Sequence, residues 1–443
     1  MAKLSPAARR YLIYAALLTF GLAISSLFYN LLIVALGYDE LNLALPLAGE
    51  FPLLGLLNSV PVLVAGLSSL PIWWLVSRIG PGPALVAGAL LAATSLLGTA
   101  VGAGPLPLLV AAALGGPASV LFQVSAAPFM MRHSGPEERD LLFSLNAGLN
   151  IGVAGLGNLV GGFVPGLAAA LFELTPESAG AYRATFVVAA ACTALAALPL
   201  LLLNNRRPAT DDRQPLTDDR RPTTDDREPA TGESSPAASV GRRFVVSGWS
   251  SLIELFGHAR RAIPFMVSPL LISCGAALLI PFLNIYFRRR FGASDEVLGL
   301  IFAAIGIATG AATLAAPLLS RRLGKMGSVV LTQALAIPCL LLLGLAPALW
   351  LAVTIALLRG ALMNMASPLY DAYAMERSPE AARPIVIGLI NGSFAVGYVV
   401  GPNVSVMVQQ SYGFGPLFVA TAAFYACAAI ANWLIFLRPR RKS

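Results

Sequence analysis

Two charged side chains, Arg359 and Asp371, lie well inside a long apolar segment near residues 349–375, and no other charge lies so deep in an apolar stretch. A guanidinium in such a place can clamp an anionic group through paired hydrogen bonds. It can equally act as a packing residue bonded to backbone carbonyls or an amide. Asp371 follows twelve residues later, about 18 Å along a helix, so the two cannot pair directly. Its carboxylate could carry a proton or form a gate near Glu376.

Amide side chains are the second group that could contact a ligand. Amides inside apolar segments cost free energy in lipid unless they face protein or water. Asn30 and Asn284 lie at nearly matching places and could bond between helices or touch a ligand. Asn146 and Asn150 are one turn apart on one helical face, with the same two alternatives. With Arg359, the candidate substrate contacts are Asn30, Asn58, Gln123, Asn146, Asn150, Asn284, Asn364 and Asn391.

Long apolar helices must position these side chains. The 443 residues are 57% hydrophobic and 12% charged, with a mean hydropathy of +0.75, whereas soluble chains carry about 25% charged residues. Apolar runs long enough to cross a bilayer recur from end to end. An all-α integral membrane protein with twelve spans is predicted, near residues 11–36, 53–76, 83–104, 106–131, 141–171, 184–203, 263–287, 297–319, 327–347, 349–375, 384–409 and 414–437.

The two sets of six spans are repeats of each other. Residues 53–80 and 297–324 align at an offset of 244, which pairs Gly55 with Gly299 and Gly80 with Gly324 and still pairs Gly157 with Gly401. An even number of spans in each half makes the repeats parallel. Chains built this way are typically transporters with a substrate site between the halves. The predicted domains are a first bundle at 1–203, a linker at 204–262 and a second bundle at 263–443.

Basic residues predict the orientation. With the N-terminus inside, fifteen Lys and Arg fall in short inner loops and tails and four fall outside, as the positive-inside rule requires. Both termini are therefore predicted to be cytoplasmic, in a plasma (inner) membrane. We expect the first span to be retained rather than cleaved as a signal peptide. Because topology explains the net charge of +8, no nucleic-acid partner is needed, and the lipid bilayer is the expected surrounding.

Two segments lie outside the repeat pattern. The linker repeats Pro-x-Thr-Asp-Asp-Arg from Pro208 every seven residues. Without an apolar stripe, this is a disordered segment rather than a coiled coil. We predict an interfacial helix after it, near 245–261; the alternative is an extension of the seventh span. An insertion around 42–52 in the first half is expected to lengthen or cap a helix, with a role in substrate access as the alternative.

The chemistry of enzymes and of ATP-driven pumps is absent from the sequence. The four cysteines lie in apolar segments, and the two histidines, His133 and His258, are far apart. No metal site, catalytic constellation or phosphate-binding Gly-x-x-x-x-Gly-Lys loop occurs. We therefore expect no enzyme activity, no cofactor and no metal.

Several motifs resemble the major facilitator superfamily. The loop Pro317-Leu-Leu-Ser-Arg-Arg-Leu-Gly-Lys325 is similar to the family's cytoplasmic loop motif, and Ser77-Arg78-Ile79-Gly80 is a weaker copy. Ser77 and Arg321 stand where the family has Asp. Gly157-Asn-Leu-Val-Gly-Gly162 is similar to the antiporter motif Gly-Pro-x-x-Gly-Gly. These motifs leave the subfamily open.

The resemblance implies two six-helix bundles that rock about a central cavity. Spans 1, 4, 7 and 10 would line this cavity, 2, 5, 8 and 11 would flank it, and 3, 6, 9 and 12 would face lipid. It also makes the loop-motif residues, together with the acidic residues of span 10, candidates for a gate or for proton coupling. These are Arg78, Arg321, Arg322, Asp371 and Glu376.

The predicted function is secondary active transport of a small organic solute by alternating access, as an efflux permease. The partners expected are the solute and a proton as candidate coupling ion, and a monomer would suffice. One alternative is an uncoupled facilitator or a nutrient uptake permease. Another is a membrane sensor or scaffold that does not transport.

Overall fold

The computed structural model describes residues 4–45, 49–202 and 250–438. One compact unit contains the chain up to residue 203 and from residue 262 onwards. The predicted disordered repeat lies outside the described residues. The predicted interfacial helix lies largely outside them too, and residues 250–261, described by backbone alone, are helical. The limits of the three predicted domains stay a prediction.

Twelve helices or helix pairs in the described residues are long and apolar enough to span a membrane. In the first half they are Pro6–Ser26 with Tyr29–Ala35, Leu53–Ile79, Pro81–Val101, Pro105–Arg132, Pro136–Leu171, and Ala179–Leu195 with Ala197–Leu201. In the second half they are Ser250–Leu279 with Leu283–Phe291, Asp295–Leu323, Lys325–Leu345, Leu349–Glu376, Arg383–Tyr412, and Gly415–Asn432 with a π-helical turn at Trp433–Leu437. We number them spans 1 to 12.

Spans 1 and 7 are both broken near their ends. Span 7 passes through a 3₁₀ turn at Ile280–Phe282, where Pro281 has no N–H for the helix ladder. Span 1 is interrupted between Ser26 and Tyr29, just after Ser25 and Ser26 donate to carbonyls of their own helix, a bond that bends helices. The two breaks expose backbone carbonyls at the same end of the bundle.

The two halves share a core at one end only. Twelve spans leave both chain termini on one side, which we call the terminal end; the opposite side is the distal end. At the distal end, one buried cluster combines residues of both halves, including Phe28, Leu57, Phe282 and Leu298. At the terminal end, the buried clusters contain residues of one half each. The bundle is thus closed at its distal end and divided at its terminal end.

Glycines set how closely the helices approach. A Cβ on Gly157 would lie 2.7 Å from that of Ala23 in span 1, and one on Gly401 would lie 2.5 Å from that of Ala277 in span 7. Spans 5 and 11 therefore pack closely against spans 1 and 7 at these positions. This close packing does not extend to Gly152 or to Gly392, which have open space around them.

The insertion around 42–52 forms a hairpin rather than a lengthened helix end. Strands β1 (Asn42–Leu45) and β2 (Gly49–Pro52) pair antiparallel, with Asn42 opposite Pro52. The hairpin lies at the distal end, and Leu53 at the start of span 2 donates its N–H to the Leu41 carbonyl at 2.8 Å.

Candidate functional site

A cavity of about 370 Å³ lies within the second half, inside the size range of small-molecule sites. Spans 7, 10 and 11 form most of its wall, and one residue each from spans 9 and 12 completes it. It extends from Arg359, near the middle of span 10, towards the terminal end. Four of the predicted site residues line it together, namely Arg359, Asn364, Asp371 and Asn391.

Arg359 is a buried charge, with only 8% of the residue exposed. Its Nη2 donates to the Tyr425 hydroxyl at 2.5 Å, and its guanidinium carbon lies 5.7 Å from the centre of that ring. Among the described residues, its Nε has no hydrogen-bond partner and no carboxylate pairs with it. A buried charge without a counter-ion is unfavourable, so this end of the cavity attracts an anion.

Asp371 lines the same cavity nearer its terminal end. Its side chain is half-buried, and it takes part in none of the ion pairs formed by the described residues. The twelve-residue separation from Arg359 puts the Cα atoms of the two residues about 18 Å apart along the helix. The cavity therefore has a cationic end and an anionic end.

The amides of spans 9 and 12 correct one expectation from the family layout. Gln333 and Asn432 are buried instead of facing lipid. Asn432 donates to the side-chain oxygen Oε1 of Gln333 at 3.0 Å and to the Ser268 hydroxyl at 2.8 Å. Gln333 also lines the cavity, which therefore has a wall that the sequence analysis missed. The signal was available, because an amide in a lipid-facing position is unfavourable.

A second, smaller cavity of about 200 Å³ lies in the first half, between spans 1, 3 and 4. Gln123 and Thr19 line it. Asn150 in span 5 accepts a hydrogen bond from the Thr19 hydroxyl at 2.8 Å. Asn146 lines neither cavity, and its buried Oδ1 has no partner among the described residues. The polar groups of the first half are thus separate from Arg359.

Three predicted substrate contacts, Asn30, Asn58 and Asn284, lie instead at the distal end. Asn30 donates to the Pro281 carbonyl at 2.5 Å, and Asn284 donates to the Leu27 carbonyl at 2.7 Å. Asn58 donates to the Asn30 side-chain oxygen at 2.8 Å. Asn30 and Asn284 satisfy the carbonyls freed by the helix breaks, and none of the three amides lines either cavity. The geometry favours the interhelical alternative for Asn30 and Asn284.

A charged network also joins the halves at the distal end. Arg288 in span 7 pairs with Asp295 in span 8 and reaches Glu177, in the first half, at 2.6 Å. The Tyr182 hydroxyl of span 6 donates to Asp295 at 3.1 Å. Nearby, Arg289 pairs with Asp39 at 2.6 Å. The sequence does not reveal this network, because its members lie up to 250 positions apart and lack a shared motif.

The predicted gate residues lie at the terminal end. Glu376 pairs with Lys325, both in the second half. Arg78 stacks over the Trp74 ring, with its guanidinium carbon 3.8 Å from the ring centre, and Arg321 and Arg322 are exposed. In the described ranges, none of the ion pairs at the terminal end crosses between the halves.

The Major Facilitator Superfamily model matches residues 18–274 and 265–443. The chain belongs to this family. It is therefore a multi-pass membrane transporter and not an enzyme.

Solved structures of the family share its architecture. A bacterial homologue of the human lysosomal transporter Spinster, in an inward-facing and unoccupied conformation, superposes with a TM-score of 0.70 at 16% identity, covering 97% of both chains. The nucleoside transporter NupG gives 0.68 at 15% identity over 98% of this chain and 100% of its own. A D-xylose–proton symporter gives 0.67 at 15% identity, over 96% and 97%. Identities this low show the fold alone.

One curated relative is similar in sequence over part of the chain. Multidrug resistance protein MdtG of Dickeya zeae (strain Ech586) is 26% identical over 211 residues, which is 46% of this chain and 50% of the relative. The chain thus matches about half the length of this relative.

Proposed function

We propose that this transporter is a secondary efflux permease for a small organic solute, which binds in the cavity of the second half. The observation that carries the proposal is Arg359, a buried cation without a counter-ion among the described residues, in a cavity of about 370 Å³. The half-length similarity to a multidrug resistance protein and the antiporter-like glycine pattern of span 5 support export.

We further propose that the protein lies in the plasma (inner) membrane and that its terminal end faces the cytoplasm. The excess of basic residues at that end supports this orientation. The cavity then faces the cytoplasm while the distal end is closed, as substrate loading from inside requires. Alternating access would open the distal contacts and bring the terminal ends of the halves together.

Among the site residues, Arg359, Asn364 and Asn391 are the proposed substrate contacts in this cavity. Gln123, Asn146 and Asn150 are the proposed substrate contacts on the surface of the first half that faces this cavity. Asn30, Asn58 and Asn284 are proposed to act in closure. Arg78, Arg321, Arg322 and Glu376 are proposed to meet at the terminal end when it closes.

Proton coupling is proposed to use Asp371. It lines the substrate cavity and lacks an ion-pair partner among the described residues, so a proton could neutralise it at little cost in lost contacts. Asp371→Asn should abolish pH-driven flux in proteoliposomes and preserve solute exchange. Unchanged pH-driven flux in this variant would rule out Asp371 as the proton site.

The first experiment tests whether the protein transports. A mixed panel of anionic, cationic and neutral amphipathic solutes is screened by thermal unfolding of the purified protein. A solute at 100 times its dissociation constant adds about 2.7 kcal/mol to stability. Each solute that binds is then tested for counterflow in proteoliposomes. Counterflow that ignores pH and sodium gradients would identify a facilitator, and binding without counterflow would identify a sensor.

A further inference from the structure

We propose that the cavity of the second half is selective for organic monoanions that carry a flat aromatic group, that is, aromatic carboxylates. The transport of such a compound rests on the proposed function, but its binding does not. The carboxylate would contact Arg359, and the ring would lie against Phe394 and Tyr398.

The charge selectivity follows from the donors left around Arg359. One nitrogen of the guanidinium is used by the Tyr425 hydroxyl, while Nε is buried and unpartnered within the described part of the chain. The Nε–H and the neighbouring N–H of Nη2 form the fork that binds both oxygens of a carboxylate, and Nη2 carries a second N–H that can donate to Tyr425. The Tyr425 ring also supports the cation, so Arg359 keeps its place without an acidic partner.

The preference for an aromatic group follows from the wall formed by span 11. Phe394 and Tyr398 both line the cavity, with ring centres 5.4 Å apart and planes inclined by 29°. Phe394 is 40% exposed, which is a large accessible area for a ring inside the bundle. A third ring in the cavity could extend this stack, and such stacking adds to the free energy of burial.

The preference for a ligand with one negative charge follows from the charges of the cavity wall, above all from the position of Asp371. The Asp371 Cα lies about 18 Å along the helix from the Arg359 Cα, so a small ligand held at the guanidinium would not also reach the Asp371 carboxylate. A zwitterion such as an amino acid would place its ammonium beside Arg359, with no carboxylate of the cavity wall close enough to pair with it. A second carboxylate on the ligand would find no second cation, because Arg359 is the one basic residue among the described residues that line the cavity.

Three matched compounds test the proposal on the full-length purified protein. They are 3-phenylpropionate, its neutral amide 3-phenylpropionamide, and the saturated analogue 3-cyclohexylpropionate, with dissociation constants measured by calorimetry. We expect 3-phenylpropionate to bind at least about tenfold more tightly than the amide, as for a charge-assisted hydrogen bond. It should bind about threefold or more tightly than the cyclohexyl analogue. Equal binding of carboxylate and amide, or of phenyl and cyclohexyl compounds, would overturn the proposal.

Two variants assign the selectivity to residues. Arg359→Gln should remove the preference for the carboxylate over the amide, and Phe394→Leu should remove only the preference for phenyl over cyclohexyl. Arg290→Gln, an exposed charge at the distal end, is the matched control and should change neither. An unchanged preference in Arg359→Gln would refute the assignment. If that variant does not fold, the three compounds on the natural protein still decide.

The outcomes separate this proposal from the proposed function. Selective binding of 3-phenylpropionate without counterflow of any solute would leave the site intact and refute transport. Counterflow of other solutes with no selectivity for aromatic carboxylates would leave transport intact and refute the site.

Discussion

Asn30 and Asn284 join the two halves of the molecule through a reciprocal pair of hydrogen bonds. Asn30 donates to the carbonyl of Pro281, three residues before Asn284, and Asn284 donates to the carbonyl of Leu27, three residues before Asn30. The two asparagines lie 254 positions apart in the chain, and so do the two acceptors, Leu27 and Pro281. Each repeat thus uses its amide to satisfy the carbonyl that the other repeat's helix break leaves free.

Removing this pair should open the distal end. Asn30→Leu and Asn284→Leu each delete one donor at a similar side-chain volume. Each variant loses a hydrogen bond worth about 1 kcal/mol. This loss should shift the ratio of closed to open molecules about fivefold towards the open state. The distance between spin labels at Glu173 and Tyr412, both exposed near the distal end, would report the shift.

The matched control for these variants is Thr94→Val. Its exposed hydroxyl bonds only to its own helix, at the Leu90 carbonyl, so the distance distribution should not change. Distances in the two asparagine variants that equal those of the natural protein would show that the reciprocal pair does not hold the distal end closed.

The network of Arg288, Asp295 and Tyr182 should contribute to distal closure through the bonds that cross between the halves. Arg288 and Asp295 both lie in the second half, and the crossing bonds join Arg288 to Glu177 and the Tyr182 hydroxyl to Asp295 and Arg288. Tyr182→Phe removes the bonds of the buried hydroxyl, worth about 1–2 kcal/mol, whereas Glu177→Gln weakens a half-exposed ion pair worth about 1 kcal/mol or less. Spin-label distances should therefore rank the two variants, with Tyr182→Phe the more open. The reverse order would contradict this ranking of the crossing bonds.

Gly162 and Gly299 should limit how closely the halves approach at the distal end. A Cβ on Gly162 would lie 3.0 Å from the Gly299 Cα, and one on Gly299 would lie 2.8 Å from the Gly162 Cα. Gly162→Val should therefore hold the distal end open and reduce counterflow to background. Gly152→Val, in the same span but in open space, is the control for closure at the distal end. Normal distal closure in Gly162→Val would refute the steric argument.

The amide pair between spans 9 and 12 should stabilise the second half without holding the halves together. Asn432→Leu removes the bonds to Gln333 and Ser268, leaving a buried amide unsatisfied. The free energy of unfolding should fall by roughly 1–2 kcal/mol, because hydrogen bonds between membrane helices are individually modest. Thermal unfolding measures the loss, and Thr354→Val, an exposed hydroxyl on span 10, is the control. No loss of stability would show that Gln333 finds another partner.

Much of the fold could be predicted from the residues in order. Each span had to be a long apolar helix, because lipid offers no partner for backbone N–H and C=O groups. The glycine pairs at a constant offset located the second half. The same reasoning failed for 42–52, where a hairpin replaces the expected helix end, although Pro46 and Gly49 are residues typical of turns.

The candidate site was only partly predictable. Arg359 and Asp371 stood out because charge inside an apolar span is rare, and they do share one cavity. Asn30, Asn58 and Asn284 had the same apparent signal, yet their donors are used at the distal end. An amide in an apolar span must find a partner, and its residue type does not say whether that partner is a ligand or another helix.

The sequence by itself determined the membrane-spanning helices and the two-fold repeat, because the cost of exposing backbone groups to lipid is local to each span. Only the tertiary structure decided which polar groups meet. Arg288 finds Glu177, Asn284 finds Leu27, and Gln333 faces Asn432 across helices distant in the chain. Such pairings depend on helix rotation and on close approach at glycines, which are properties of packed surfaces rather than of any one segment.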